Sequence, residues 1–157
     1  MRAVLIALDD PLRPDVLALL DGHLADMRAT SPPESVHALD PQALAAPGLT
    51  FWTARDGEVL LGCAALADLG GEEGEEGEVK SMRTAPASRG RGVAAALLEH
   101  LLAESRRRGY ARVNLETGSQ DFFAPARRLY ARHGFVECGP FGSYRPDPHS
   151  TFMTLAL

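Results

Sequence analysis

The sequence is poor in cysteine and has no long apolar run. Only Cys63 and Cys138 occur, each in a mostly apolar segment, which excludes a disulfide framework or a multi-cysteine zinc site and predicts two buried thiols. No run approaches the ~20 consecutive apolar residues that span a bilayer, and the short apolar start of the chain is followed at once by acids. We therefore expect a cytoplasmic protein without a membrane partner.

Basic charge is also scarce. The chain has 16 lysines and arginines against 21 acidic residues, so its formal net charge is -5. This balance argues against non-specific nucleic-acid binding, and the local basic stretch 106–112 fits a solvated helix end. Four of the histidines lack the spacing of metal ligands, so we expect them at surfaces or helix ends and expect no metal. They are His23, His100, His133 and His149.

Two common phosphate-binding motifs are missing. The chain has neither a G-x-x-x-x-G-K-S/T loop nor a G-x-G-x-x-G turn after its first strand. Its Gly-rich turn is instead Arg89–Ala94, between an extended segment and an amphipathic helix. The first N–H groups of a helix lack internal partners and carry about half a positive charge. The turn therefore predicts an anion site suited to a nucleotide-like cofactor, although such turns also serve packing alone.

The hydrophobic pattern predicts one compact domain of alternating strands and helices. With 157 residues and 45% hydrophobic content, the chain can bury roughly two-thirds of its unfolded surface. Asp56-Gly57 predicts a hairpin turn, and the acidic segment 70–77 a mobile turn. Strands are predicted at 3–8, 49–54, 59–66, 78–84, 111–117, 135–138 and 151–157, and helices from Pro14 and over 41–46, 93–108 and 122–133. The strand at 111–117 is expected to pair in parallel, as in a βαβ unit.

Several motifs resemble those of one enzyme family. Arg89-x-x-Gly92-x-Ala94 resembles the Q/R-x-x-G-x-G/A signature of the GNAT superfamily of acetyltransferases, and 126–130 with Gly134-Phe135 resembles its A-x-x-L-Y…GF ending. A narrower resemblance, to the YsnE-like group of N-acetyltransferases, rests on the segments 31–35, 80–84, 115–119 and 152–154. The resemblance implies an α/β fold (α+β mixed sheet) of about seven strands with helices on both faces, in a single domain over 1–157.

The same resemblance implies acetyl-CoA as the co-substrate. It would bind where the strand ending at Thr84 splays from the strand ending near Thr117. Backbone N–H groups of the Gly-rich turn would surround the pyrophosphate, and the 82–84 backbone would pair with the pantetheine amides like an added strand. The implied cofactor residues are Met82, Arg83, Thr84, Arg89, Gly90, Arg91, Gly92, Val93, Ala94, Phe123, Ala126 and Tyr130.

Three residues are candidates for proton transfer. The family places a tyrosine near the CoA sulfur, which makes Tyr130 the expected general acid. A carboxylate near the splayed strands is a reasonable general base. Glu78 has the same offsets to Thr84 and Arg89 as the base of histone acetyltransferases in this superfamily, and Glu116 ends the second strand. Glu78 is slightly favoured, and both stay open.

Acceptor contacts are less specific in the sequence. The segment after the first helix often lines the acceptor site in this superfamily, so Glu34 and His37 are candidates, and strand alternation adds Arg83. One departure concerns Phe123, where many members carry asparagine. A cofactor hydrogen bond is then lost or supplied by another residue, for which the sequence offers Asn114, Ser119 and Gln120.

The resulting hypothesis is acetyl transfer from acetyl-CoA to a primary amine of a small molecule or peptide, by direct attack in a ternary complex. No cysteine is placed to act as a nucleophile. The alternatives are acetylation of a protein N-terminus or lysine, and a non-catalytic acyl-CoA sensor. The apolar C-terminal segment 152–157 suggests strand pairing across a homodimer.

Overall fold

The protein folds around one seven-stranded sheet. The computed structural model describes residues 4–37, 40–71 and 75–157. Within these ranges, no helix is long and apolar enough to cross a membrane. The strands are β1 (Leu5–Leu8), β2 (Leu49–Asp56), β3 (Val59–Gly70), β4 (Glu76–Thr84), β5 (Arg112–Gly118), β6 (Val136–Cys138) and β7 (Ser150–Ala156). The helices are α1 (Pro14–Thr30), α2 (Pro41–Leu44), α3 (Val93–Arg107) and α4 (Ala124–Arg132), with 3-10 turns at Pro33–Ser35, Pro86–Ser88 and Asp121–Phe123.

The strands lie in the order β1-β2-β3-β4-β5-β7-β6. Among the strands of the described residues, β4 and β5 alone pair in parallel, joined by α3 as the sequence predicts, and the other neighbours are antiparallel. The mixed sheet and its strand number confirm the predicted fold class. The parallel pairing runs from Glu76↔Arg112 to Val79↔Leu115 and stops there, several residues before either strand ends.

Helices cover both faces of the sheet. On one face α1 and α2 pack Leu20 and Leu44 against Phe51 and Cys63 of the central strands. On the other face α3 and α4 pack against the alternate strand residues, including Trp52. Burial raises the pKa of the Cys63 thiol to about 12, so this thiol is inert and buried as predicted. Cys138 is only half-buried, because β6 lies at the sheet edge.

Two expectations about strands are corrected. β3 and β4 extend beyond the predicted strands into the acidic segment, where Asp68 pairs with Gly77 and Gly70 with Glu76. Gly77 packs closely against the Tyr110 ring, where any side chain would clash. Residues 72–74 of that segment lie outside the described residues. The strand-pairing suggestion is corrected only for Phe152 to Thr154, which pair with β5 on one side and β6 on the other. A homodimer stays a prediction.

Candidate active site

The site begins where β4 and β5 separate. Opposite Ala64 of β3, two β4 residues occupy the space of one, since Cys63 pairs with Arg83 and Ala65 with Lys80. This bulge places Ser81 at a φ of 51°, in the left-handed region. Bulges bend strands and occur next to active sites. Here the bend coincides with the end of the β4–β5 ladder, so the 82–84 backbone has no pairing partner on its β5 side.

The Gly-rich turn lies at the same end of the sheet and leads into α3. Gly90 and Gly92 have φ values of 78° and 77°, a region that side chains rarely adopt. Gly92 is the N-cap of α3, so no side chain caps the helix. An added Cβ at either glycine would meet no atom within 4 Å. Both glycines are therefore required by backbone conformation and not by packing, and the first amides of α3 can face an anion.

A cavity of about 510 Å³ connects this turn to α4. It is lined by the residues expected to hold the cofactor, with the exception of Arg91. The side chain of Arg89 is about half exposed at its rim, 3.9 Å from the Asp26 carboxylate. Arg83 also lines this cavity and pairs with Asp26 of α1 at 2.6 Å. Arg83 therefore lies on the cofactor side, not with the other residues expected to contact an acceptor.

Two further cavities, a throat and an outer pocket, continue from the cofactor cavity along the cleft. A narrow throat of about 110 Å³ shares Met82, Phe123 and Tyr130 with the cofactor cavity. The throat shares Glu78 and Lys80, among others, with an outer pocket of about 420 Å³. The three spaces thus follow one another along the splay, and the candidate acid and both candidate bases face the throat. The outer pocket is lined by Glu34, His37, Leu69, Glu78, Lys80 and the 142–147 segment.

Tyr130 stands between the cofactor cavity and the throat. Its side chain is 6% exposed and packs edge-on against Phe135, with ring centroids 5.8 Å apart. Burial and the nearby negative charge of Glu116 raise the pKa of Tyr130 to about 12. The hydroxyl therefore stays protonated at neutral pH, as a proton donor must.

The two carboxylates have different surroundings. Glu78 is 3% exposed, and its Oε2 accepts a hydrogen bond of 2.6 Å from the Tyr144 hydroxyl and lies 3.2 Å from Lys80 Nζ. Lys80 Nζ in turn donates to the Tyr144 oxygen at 2.8 Å. For Glu116, burial is the largest effect and raises the carboxyl pKa to about 7, against the lowering effect of Ser150 and Lys80.

Comparison with known proteins identifies this arrangement. A family model for the acetyltransferase (GNAT) family matches residues 16–135. The chain belongs to the GNAT family. It is 46% identical over 152 residues to the N-acetyltransferase YsnE of Bacillus subtilis, covering 97% of this chain and 99% of that protein. It is 47% identical to YedL of Escherichia coli, covering 97% of this chain and 94% of that protein. It is 42% identical to an IAA acetyltransferase of Azospirillum brasilense, covering 100% of both chains. This GNAT chain is accordingly an acetyl-CoA-dependent N-acetyltransferase.

Solved structures agree in fold. The acyl-CoA N-acyltransferase fold of a Klebsiella pneumoniae protein superposes with a TM-score of 0.77 at 29% identity, covering 98% of this chain and 97% of that one. The acetyltransferase yncA of Salmonella typhimurium, solved with its cofactor acetyl-CoA, gives a TM-score of 0.69 at 22% identity, covering 98% and 94%. The second likeness shows the fold alone.

Two loops of the GNAT chain enclose the outer pocket. The Ser35 hydroxyl donates to an Asp147 carboxylate oxygen at 2.6 Å, joining the segment after α1 to the segment before β7. The His37 and Tyr144 rings pack edge to face, with their centroids 5.0 Å apart. Glu34 and His37, predicted to meet an acceptor, both line this pocket.

The phenylalanine at the usual asparagine position has a packing role. The Phe123 ring covers Gly118 at the end of β5 so closely that a Cβ there would lie 2.0 Å from it. The three polar residues offered as substitutes are engaged elsewhere: Asn114 donates to Glu76, Ser119 to the Pro148 carbonyl, and Gln120 to the Thr30 carbonyl. None of the three lines the cofactor cavity.

Sequence reasoning missed three site residues. His23 was expected at a surface, yet it lines the cofactor cavity and the throat, where burial and then Arg83 lower its pKa to about 4 and keep it neutral. Lys80 and Tyr144 line the throat beside Glu78. One signal for Lys80 was available, because it is the only lysine in a chain whose other basic residues are arginines. In the described part of the chain, no cluster of three or more potential metal ligands occurs.

Proposed function

We propose that this enzyme transfers the acetyl group of acetyl-CoA to a primary amine of a small molecule or peptide, by direct attack within a ternary complex. The observation that supports the proposal most is the throat. It joins a cavity fit for the donor to a second pocket fit for an acceptor, with a protonated tyrosine and two carboxylates facing the junction.

The cofactor cavity suits acetyl-CoA on two independent grounds. The glycine turn presents helix N-terminal amides without a side-chain cap, which suits a pyrophosphate. The splayed strand leaves the 82–84 backbone without a β5 partner, which suits the amides of the pantetheine arm. A thioester placed along this line would reach the throat beside Tyr130.

The proposed chemistry uses groups of the throat directly. The acceptor reacts as its neutral amine, and a carboxylate, Glu78 or Glu116, accepts the proton that the attacking nitrogen loses, directly or through water, and later returns it to solvent. The neutral nitrogen forms a bond to the thioester carbonyl carbon while the C–S bond breaks. Tyr130 donates its hydroxyl proton to the departing sulfur, which leaves as the CoA thiol. The phenolate regains a proton from solvent before the next turnover.

The outer pocket favours a small acceptor. It is a defined pocket of about 420 Å³ closed on two sides by loops that Ser35 and Asp147 join. A protein N-terminus or lysine would favour an open groove instead. Its lining mixes acids with Lys80 and Arg145, which suits an amine that carries further polar groups.

The test is acceptor-dependent release of CoA thiol from acetyl-CoA. A panel of amino acids, polyamines, aminoglycosides, short peptides and IAA, the compound in the name of one relative, would be assayed with the purified enzyme. Acetyl-CoA alone supplies the hydrolysis control. We expect at least one amine to raise thiol release above that control. Binding of acetyl-CoA with no acceptor-dependent release across the panel would support a sensor and contradict the proposal.

A further inference from the structure

The Glu78 carboxylate is held by two side chains, Tyr144 and Lys80. Tyr144 reaches it from the loop between β6 and β7, 66 residues away in sequence, and donates to Oε2. Lys80, two residues along the same strand, contacts both the same carboxylate oxygen and the Tyr144 oxygen. The Tyr144 ring is itself fixed by the Phe141 and Phe152 rings at centroid distances of 5.1 and 5.4 Å. Glu78, Lys80 and Tyr144 form a closed triangle, which we call the clamp.

The clamp already supplies Glu78 Oε2 with two donors. A proton arriving on Oε2 would displace a charge-assisted hydrogen bond from Tyr144 and weaken the ion pair with Lys80. Hydrogen bonds to a charged group are strong, so an acceptor nitrogen would compete with both donors for this oxygen. The Glu78 carboxylate instead holds the side chains of Lys80 and Tyr144 in place.

Glu116 has the opposite surroundings. It lines the throat together with Tyr130, and its charge acts on that hydroxyl, whereas no such effect of Glu78 on Tyr130 is found among the described residues. Within residues 4–37, 40–71 and 75–157 no ion pair holds Glu116. Glu116 lies two residues before the end of β5 and lines the throat, which the thioester would reach under the proposed function. The charged and titratable groups that face it are Glu78 and Lys80 of β4, Tyr130 of α4, Tyr144 and Asp147 of the β6–β7 loop, and His23 and His37 across the throat.

We propose that Glu116 is the catalytic base and that Tyr144 and Lys80 are positioning residues that keep Glu78 a fixed anion at the mouth of the throat. This inference rests on the proposed function. In the step, the acceptor nitrogen gives its proton to a Glu116 oxygen as its bond to the carbonyl carbon forms. Glu116 later returns the proton to solvent. Glu78 exchanges no proton.

The pH dependence separates the two carboxylates. A base must be ionised, so kcat/KM should fall as pH drops through the pKa of the base, which burial raises to about 7 for Glu116. Glu116→Gln should lose this acidic limb and lower kcat by about 10²–10⁴-fold. Glu78→Gln should keep the limb and move it to lower pH, because removing a nearby negative charge lowers the Glu116 pKa.

Tyr144→Phe tests the clamp. If Glu78 were the base, loss of the tyrosine hydrogen bond to its carboxylate would move the acidic limb to higher pH. Under our proposal the limb stays within about half a unit, while the acceptor KM rises as the mouth of the throat loosens. Acetyl-CoA affinity and the melting temperature of each variant verify folding. Lys80→Arg, which keeps the charge, should leave the acidic limb near its wild-type pH, whereas Lys80→Met should raise it, because Lys80 lowers the Glu116 pKa.

The outcomes are distinct. Loss of the limb in Glu78→Gln with retention in Glu116→Gln would overturn the proposal, as would a raised limb in Tyr144→Phe. An inactive wild-type enzyme across all acceptors would instead contradict the proposed function itself, on which this inference depends.

Discussion

The cofactor side and the acceptor side of the cleft are built differently. The cofactor side consists of backbone: a bulge at Ser81, an unpaired strand edge and two glycines at the start of α3. The acceptor side consists of side chains from distant segments, such as Ser35 with Asp147 and Glu78 with Tyr144. A backbone conformation such as a positive φ restricts the residue type at that position, whereas many pairs of side chains can form a contact between two loops. Donor recognition is thus fixed by local conformation and acceptor recognition by loop contacts.

Tyr130 lies between the two sides and should show the largest effect. Tyr130→Phe removes the proton donor to the leaving sulfur, so we expect kcat to fall about 10²–10⁴-fold. Acetyl-CoA affinity should not change, because the ring stays packed against Phe135. Steady-state rates and calorimetric binding provide the two readouts. Tyr110→Phe, which removes another buried tyrosine hydroxyl outside the three cavities, should retain full activity.

Gly92→Ala should affect the cofactor side alone. A side chain at a φ of 77° strains the backbone by about 1–2 kcal/mol, and relaxation moves the first α3 amides away from the pyrophosphate. Loss of one such hydrogen bond weakens acetyl-CoA binding by about 10–100-fold.

Gly109→Ala is a matched control for this change. Gly109 follows the opposite end of α3 with a φ of 79° and equally open surroundings. It should cost similar stability and leave acetyl-CoA affinity unchanged. Equal loss of affinity in both variants would show that strain, not the anion site, explains the Gly92 result.

Ser35→Ala should affect the acceptor side alone, with the smallest effect. It removes the hydroxyl that donates to Asp147 and so joins the two loops. Such a hydrogen bond contributes about 1 kcal/mol. We expect the KM for the acceptor to rise about fivefold, with acetyl-CoA affinity unchanged. Ser105→Ala, at a fully buried serine bonded within α3, serves as the control. An altered acetyl-CoA affinity in Ser35→Ala would contradict the separation of the two sides.

The same division explains what the sequence could predict. The β4–α3–β5 unit and the glycine turn followed from local patterns, because they depend on nearby residues. The cofactor residues were expected from the family resemblance, and their role stays a prediction. The clamp could not be predicted, since Tyr144 meets Glu78 only after β7 inserts between β5 and β6. His23 was missed because α1 carries it into the cleft through packing that its sequence spacing does not show.

The most direct test of the account compares the amounts of free CoA thiol and of acetylated amine formed by the wild-type enzyme, by thiol titration and mass spectrometry. Direct transfer across the throat predicts equal amounts of the two products, and no acetyl group retained on the protein. Thiol release without acetylated amine, or a stoichiometric acetyl-enzyme that forms before the acceptor is added, would contradict it.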